Sequence, residues 1–106
     1  MAGRSPTQNT LKLLRDEGYL AAVVEHWNPH AHIRQDLFGI IDVIGIREGE
    51  TIAVQSTSYS NTSARVKKIK ESDNLVMLIK AGWIVHVHGW HKKKNKWQCR
   101  TIEICP

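Results

Sequence analysis

Three polar side chains in the middle of this sequence stand where apolar ones are expected. Phe38 to Arg47 reads FGIIDVIGIR and Thr51 to Thr57 reads TIAVQST, so Asp42 is the lone charge among β-branched residues until Arg47, and Gln55 and Thr57 close the next apolar run. A carboxylate within an apolar strand is costly unless it is paired or binds a ligand. Strand alternation puts Phe38, Ile40, Asp42 and Ile44 on one face. The intervening Glu48-Gly49-Glu50 reads as a hairpin turn, and a hairpin of this length returns Gln55 and Thr57 beside Asp42. Carboxylate and amide oxygens are hard ligands suited to Mg²⁺ or Mn²⁺, with waters completing the shell. A divalent cation held there polarises a phosphate and acidifies a water. The competing reading of Asp42 is a buried carboxylate satisfied by backbone amides or an arginine. The Gln55-x-Thr57 pair at hairpin distance tips the balance toward a site.

Such a site needs more negative charge than one aspartate supplies. Glu25 interrupts the apolar run Tyr19 to Trp27, sharing a face with Val23 and Trp27, and is favoured. Asp36, just ahead of the second run, comes next, and Glu17 reads as solvent-facing. Arg65 and Lys68 lie three apart on a helical pattern, hence on one face, and offer a cation. Further on, HGWHKKKNKW sets two tryptophans around four lysines. Lys92, Lys93, Lys94 and Lys96 suit phosphate contacts, with the aromatics stacking bases. The alternative there is a solvated tip that blunts an edge strand. His86 and His88 share a strand face with His91 just beyond. Zinc needs three or four ligands, which His26, His30 or His32 would have to complete, so these histidines read as sheet-surface residues. His30 or His32 is alternatively a phosphate contact.

The length of 106 residues fits one domain, spanning 1–106, with 1–8 expected to be flexible. Hydrophobic residues make up 42%, ordinary for a soluble fold. No apolar run approaches the ~20 residues that span a bilayer, and MAGRSPTQNT lacks the apolar core of a signal peptide. Cys99 and Cys105 have neither CxxC nor zinc-type spacing. A disulfide between them is unneeded, and a reducing interior, the cytoplasm of a bacterium or phage-infected host, is the expected setting. The net charge of +5 is unevenly distributed: residues 1–64 carry five Lys/Arg against seven Asp/Glu, and residues 65–100 carry ten against two. An acidic half beside a basic half suits a polyanion held around a cation. The chain has no Gly-rich phosphate loop and no GxSxG or Cys-His arrangement, which argues against nucleotide hydrolysis and acyl transfer.

The elements that must position these residues follow in the order αβββαββ. Thr7 to Glu17 has helical spacing, with Thr7 or Asn9 as cap and Gly18 as stop. Tyr19 to Trp27 fits a strand, broken by Asn28-Pro29-His30. Phe38 to Arg47 and Thr51 to Thr57 are strands, the first covered on both faces. Asn61-Thr62 caps a helix over Ser63 to Glu71, and Asn74 to Ala81 forms a further helical turn. Trp83 to Trp90 alternates with a two-residue period, and Trp97 to Cys105 is a closing strand. The expected fold class is α/β (α+β), a mixed sheet flanked by helices.

This order, with an Asp in the second strand and a ligand-x-ligand pair in the third, resembles the PD-(D/E)XK nuclease superfamily over roughly Thr10 to Trp97. The spacing is similar to that of Holliday-junction resolvases and small phage or bacterial nucleases. The resemblance implies a restriction-endonuclease-like αβββαβ core with an extra C-terminal strand, and metal-dependent hydrolysis of DNA phosphodiester bonds. Asp42 matches the motif's Asp, Gln55 stands where the motif has Glu, and Thr57 stands where it has Lys. The resemblance thus makes Asp42, Gln55, Thr57 and Lys68 catalytic and gives Asp42, Glu25, Asp36 and Gln55 to Mg²⁺ or Mn²⁺. Gln brings no charge and Thr no cation, so Lys68 or Arg65 on the following helix takes the lysine's part. The implied partner is branched or single-stranded DNA, with a homodimer extending a small contact surface. The alternative function is a catalytically inactive nucleic-acid-binding module on the same scaffold.

Overall fold

A computed structural model describes residues 4–105. Helix α1 (Pro6–Asp16) leads into strands β1 (Leu20–Val23), β2 (His26–Asn28) and β3 (Ile33–Gln35), followed by β4 (Val43–Arg47) and β5 (Glu50–Ser58). A short 3-10 turn, Tyr59–Asn61, opens into α2 (Thr62–Lys70), and α3 (Leu75–Lys80), β6 (Ile84–Lys93) and β7 (Lys96–Glu103) complete the chain. Five strands form one mixed sheet in the order β1-β4-β5-β6-β7. The β1-β4-β5 part is an antiparallel meander, β6 lies parallel to β5, and β7 returns antiparallel. The parallel step requires a crossover, and α2 and α3 supply it. This is the expected mixed α/β architecture.

The sheet is covered on both faces by two separate cores. On one face α1 sets Leu11 and Leu14 against Tyr19, Ala21, Val43, Ile52 and Val54. On the other, Ile69, Leu75 and Leu78 from α2 and α3 meet Ala53, Val85 and Val87, with Ile40, Ile41 and Ile104 filling in. Strand alternation sorts β5 between them: Ile52, Val54 and Ser56 face α1, and Ala53, Gln55 and Thr57 face α2. Two glycines permit close approach. A Cβ at Gly45 would lie 2.9 Å from Ile52, and one at Gly89 would lie 1.9 Å from Thr62 Oγ1, where α2 starts over the sheet.

The α1 face also buries a polar knot. Ser56 Oγ and Trp90 Nε1 both donate to Thr10 Oγ1, each at 2.9 Å. Thr10 Oγ1 also lies 3.1 Å from His88 Nδ1. Burial, then the charge of His86, pushes the His88 pKa down to about 4.

The chain departs from the sequence expectation in three places. The apolar run from Tyr19 to Trp27 is not one strand. It breaks at Val24-Glu25, and β2 leaves the main sheet to pair with β3 as a separate two-stranded arm. Asn28 Oδ1 accepts from the backbone N–H of His30 and Ala31, an Asx turn that reverses the chain at Asn-Pro. Nor is Phe38 to Arg47 continuous. Phe38 and Gly39 take positive φ of 55° and 75°, making a tight turn closed by a Leu37–Ile41 bridge, so the strand starts only at Val43. Phe38 is thereby exposed against Trp83 instead of sharing a strand face with Asp42. Finally, α1 starts earlier than expected. Ser5, not Thr7 or Asn9, is its cap, accepting from Gln8 N–H at 3.2 Å, with Pro6 at the first helical position. Residues 1–3 of the stretch expected to be flexible lie outside the described residues.

Among the described residues, no helix is long and apolar enough to cross a membrane, and both cysteines are free thiols.

Candidate metal centre

The β4–β5 pairing starts at Val43 opposite Val54. Asp42, one residue before β4, donates its N–H to the Val54 carbonyl at 2.9 Å. Its side chain meets Gln55 on the α2 face, although thirteen residues separate the two in the chain. The Asp42 side chain is 3% exposed and Gln55 1%. Asp42 Oδ2 accepts from the Ser56 backbone N–H at 2.8 Å and from Gln55 Nε2 at 2.7 Å.

The small arm delivers two more carboxylates. In the β2–β3 ladder His26 opposes Gln35, so Glu25 and Asp36 are the next residues outward on either side of its stem. Like charges placed across a ladder repel, and here they converge on a third. Carboxylate oxygens of Glu25, Asp36 and Asp42 all lie within 4.8 Å of one another. Three hard oxygen donors, one of them buried, form a cluster that could hold a metal ion.

Cations border the same pocket of about 320 Å³, which Thr7, Arg34, Ser56, Arg65 and Lys68 line together with the carboxylates and Gln55. Lys68 Nζ stands 3.4 Å from both Asp36 Oδ2 and Gln55 Oε1. Arg34 lies 3.7 Å from Glu25. The site thus has an acidic floor and a basic wall, supplied by α2 and β3.

Proximity splits the two aspartates. Burial, then the hydrogen bond to Asp36, raises the Asp42 carboxyl to about 7, against the pull of Ser56 N–H and Gln55. Burial acts upward on Asp36 as well, but hydrogen bonds from Asp42 and Gln55 and the charge of Lys68 outweigh it and hold its pKa below the ordinary value. The pair behaves as one shared proton, held on Asp42, beside one ionised carboxylate.

Of the residues expected at the site, Asp42, Glu25, Asp36, Gln55, Arg65 and Lys68 are brought together. Gln55 enters in an unexpected role. Its amide NH₂ donates to Asp42 and, at 3.2 Å, to Asp36, while its oxygen faces Lys68. It ties the carboxylates together, and its oxygen reaches them only if the amide turns over. Thr57 is absent from the pocket. It is buried beside Gly89 where α2 begins, and its place in the apolar run is structural. Lys92, Lys93, Lys94 and Lys96 stand apart at the exposed β6–β7 tip, which runs on beyond the end of β5. Glu17 lines another pocket on the α1 face. The histidines form no metal set: His88 is bound to Thr10, His86 lies 3.7 Å from Glu103, and His91 stacks on Tyr59 from the other face. His26, His30 and His32 are exposed on the arm.

Two contributors escape the sequence reading. Ser56 acts through its backbone N–H, which carries no residue-type signal. Arg34 reaches the pocket only because Asn28-Pro29 turns β3 back along β2, and that turn signal was present in the sequence. The chain matches no protein-family model, no curated protein and no solved structure.

Proposed function

We propose that this protein is a divalent-cation-dependent endonuclease acting on DNA, a variant of the PD-(D/E)XK scheme that its strand order and Asp42 resemble. One observation carries the reading: three convergent carboxylates share a pocket with Lys68 and Arg65 of the next helix. An acidic cluster alone is common, but an acidic floor beside a basic wall is what a cation and a phosphodiester together require. Glu25, Asp36 and Asp42 would hold Mg²⁺ or Mn²⁺, which supplies Lewis acidity toward a phosphate oxygen and acidifies a water. Asp36, kept ionised, would orient a water at the site by accepting its hydrogen bond. Lys68 would turn from Asp36 to a non-bridging phosphate oxygen and offset the charge that develops during displacement. Arg65 and Arg34 would grip the flanking phosphates. Gln55, in place of the motif's Glu, holds the aspartates in register until a cation replaces their shared proton.

That same role of Gln55 supports a second reading. A cluster satisfied by a proton, an amide and Lys68 needs no metal, as in a nucleic-acid-binding module without catalysis. Incubation with branched, single-stranded and duplex DNA, in Mg²⁺, Mn²⁺ or chelator, separates the two. Metal-dependent cutting that Asp42→Ala abolishes is the expected result. Binding without cutting, indifferent to Asp42→Ala, would select the silent module.

A further inference from the structure

The opposite face of the sheet carries a second pocket, of about 220 Å³, between α1 and the β6–β7 hairpin. It is lined by Trp90 and Trp97, by Asn9 and Leu13, and by the charged Arg4, Lys12 and Asp16. Both tryptophans face α1 by register, since Trp90 pairs with Cys99 and Lys92 with Trp97. Lys92 Nζ lies 5.6 Å from the Trp97 ring centre, a cation over an aromatic face. Lys12 is held by Asp16 at 2.6 Å, which leaves Arg4 and Lys92 as the cations without an anionic partner there among the described residues. An independent observation marks this pocket as unfinished. Asn9 is 3% exposed, and its Nδ2 is the one buried side-chain polar atom among the described residues with no hydrogen-bond partner. Buried amide donors are nearly always satisfied, and Asn9 is among the residues that line this pocket.

We infer that this pocket binds a base of single-stranded nucleic acid, stacked on Trp97 and hydrogen-bonded to the Asn9 amide, with Lys92 and Arg4 on the adjoining phosphates. A nucleobase is the ligand that presents an aromatic face, a ring carbonyl or nitrogen acceptor and a neighbouring anion together. Aromatic faces interleaved with cations are the usual means of holding single strands. Duplex DNA keeps its bases stacked and cannot offer one. The inference rests on the proposed function only for the class of ligand, polynucleotide. Its residues lie on the α1 face, whereas Asp42 and Gln55 lie on the α2 face.

The test is titration of the full chain with an oligothymidylate of about a dozen nucleotides, in chelator so that nothing is cut, with duplex of equal length as reference. The single strand is expected to bind more tightly than the duplex and to quench tryptophan emission. Trp97→Ala should weaken it roughly ten-fold or more, while Trp97→Phe retains most of the affinity and loses part of the quench. Asn9→Ala should weaken it several-fold with folding stability unchanged or raised, because it removes an unpaired buried donor. Equal affinity for duplex, or less than a two-fold effect of both Trp97→Ala and Asn9→Ala, would overturn the inference. Metal-dependent cutting that survives Trp97→Ala with unchanged single-strand affinity would sink this pocket and spare the proposed function. Intact binding at the pocket with no cutting would do the reverse.

Discussion

Replacing Asp42 by Asn probes the acidic cluster in both of its states. Asn mimics the protonated carboxyl: its oxygen still accepts from Ser56 N–H, and its NH₂ still donates toward Asp36. A carboxyl raised in the fold from the usual 3.8 to about 7 favours folding in its protonated form, so its contribution is full below about pH 4 and is lost as the pH rises through 7. At about 1.4 kcal/mol per tenfold change in the acid constant, the loss approaches ~4 kcal/mol. Asp36, whose lowered pKa works in the opposite sense, offsets part of it. Asp42→Asn should therefore make the metal-free protein more stable at pH 8, with a raised Tm, and be nearly neutral at pH 4. Thermal unfolding in chelator, at both pH values, measures this. A saturating divalent cation should stabilise the wild type, by about 2.7 kcal/mol at a hundred times Kd, and leave Asp42→Asn unmoved. A variant less stable than wild type at pH 8 in chelator would refute the shared-proton account. An undiminished shift with Mg²⁺ or Mn²⁺ would refute the assignment of Asp42 as a ligand.

Lys68→Ala should lower single-turnover DNA cleavage by roughly a hundred-fold or more while cation-induced stabilisation persists, since Lys68 touches Asp36 and Gln55 without being a ligand; cleavage within three-fold of wild type would remove it from the chemistry. Gly89→Ala should cost more than about 3 kcal/mol in denaturant unfolding, because its Cβ would fall 1.9 Å from Thr62 Oγ1. Adding Thr62→Ala should recover part of that loss, and an additive double variant would show that the clash lies elsewhere.

How much of this was legible in the sequence depends on which interactions are local in pattern. The meander, the α2–α3 crossover and the returning β7 follow from periodicity and turn chemistry, and Asp42 and Gln55 could be paired because a hairpin has fixed register. Asp36 and Glu25 could be nominated but not placed. Their convergence depends on an arm that leaves the sheet, and Tyr19 to Trp27 has the apolar composition of a single strand. Trp27 is nonetheless 54% exposed, because β2 and β3 have no core to cover. Phe38 failed for a related reason: Gly39 supplies a positive φ that composition does not advertise, and a continuous apolar run conceals the turn. Thr57 was misplaced by motif matching, since alternation gives it the right face but not the right depth along β5. Asn9, read as a helix cap, is a buried orphan once Ser5 and Pro6 set the start of α1.

The arm that carries Glu25 and Asp36 has a mechanical consequence. Both carboxylates occupy the base of the β2–β3 stem, so the junction of the arm with the sheet and the acidic cluster are the same residues. Whatever neutralises the cluster, proton or cation, fastens that junction, and a ligand on the exposed tip through Trp27, His30 or His32 bears on it. By thermodynamic reciprocity, a partner that favours one posture of the arm must also shift the affinity of the cluster for its cation.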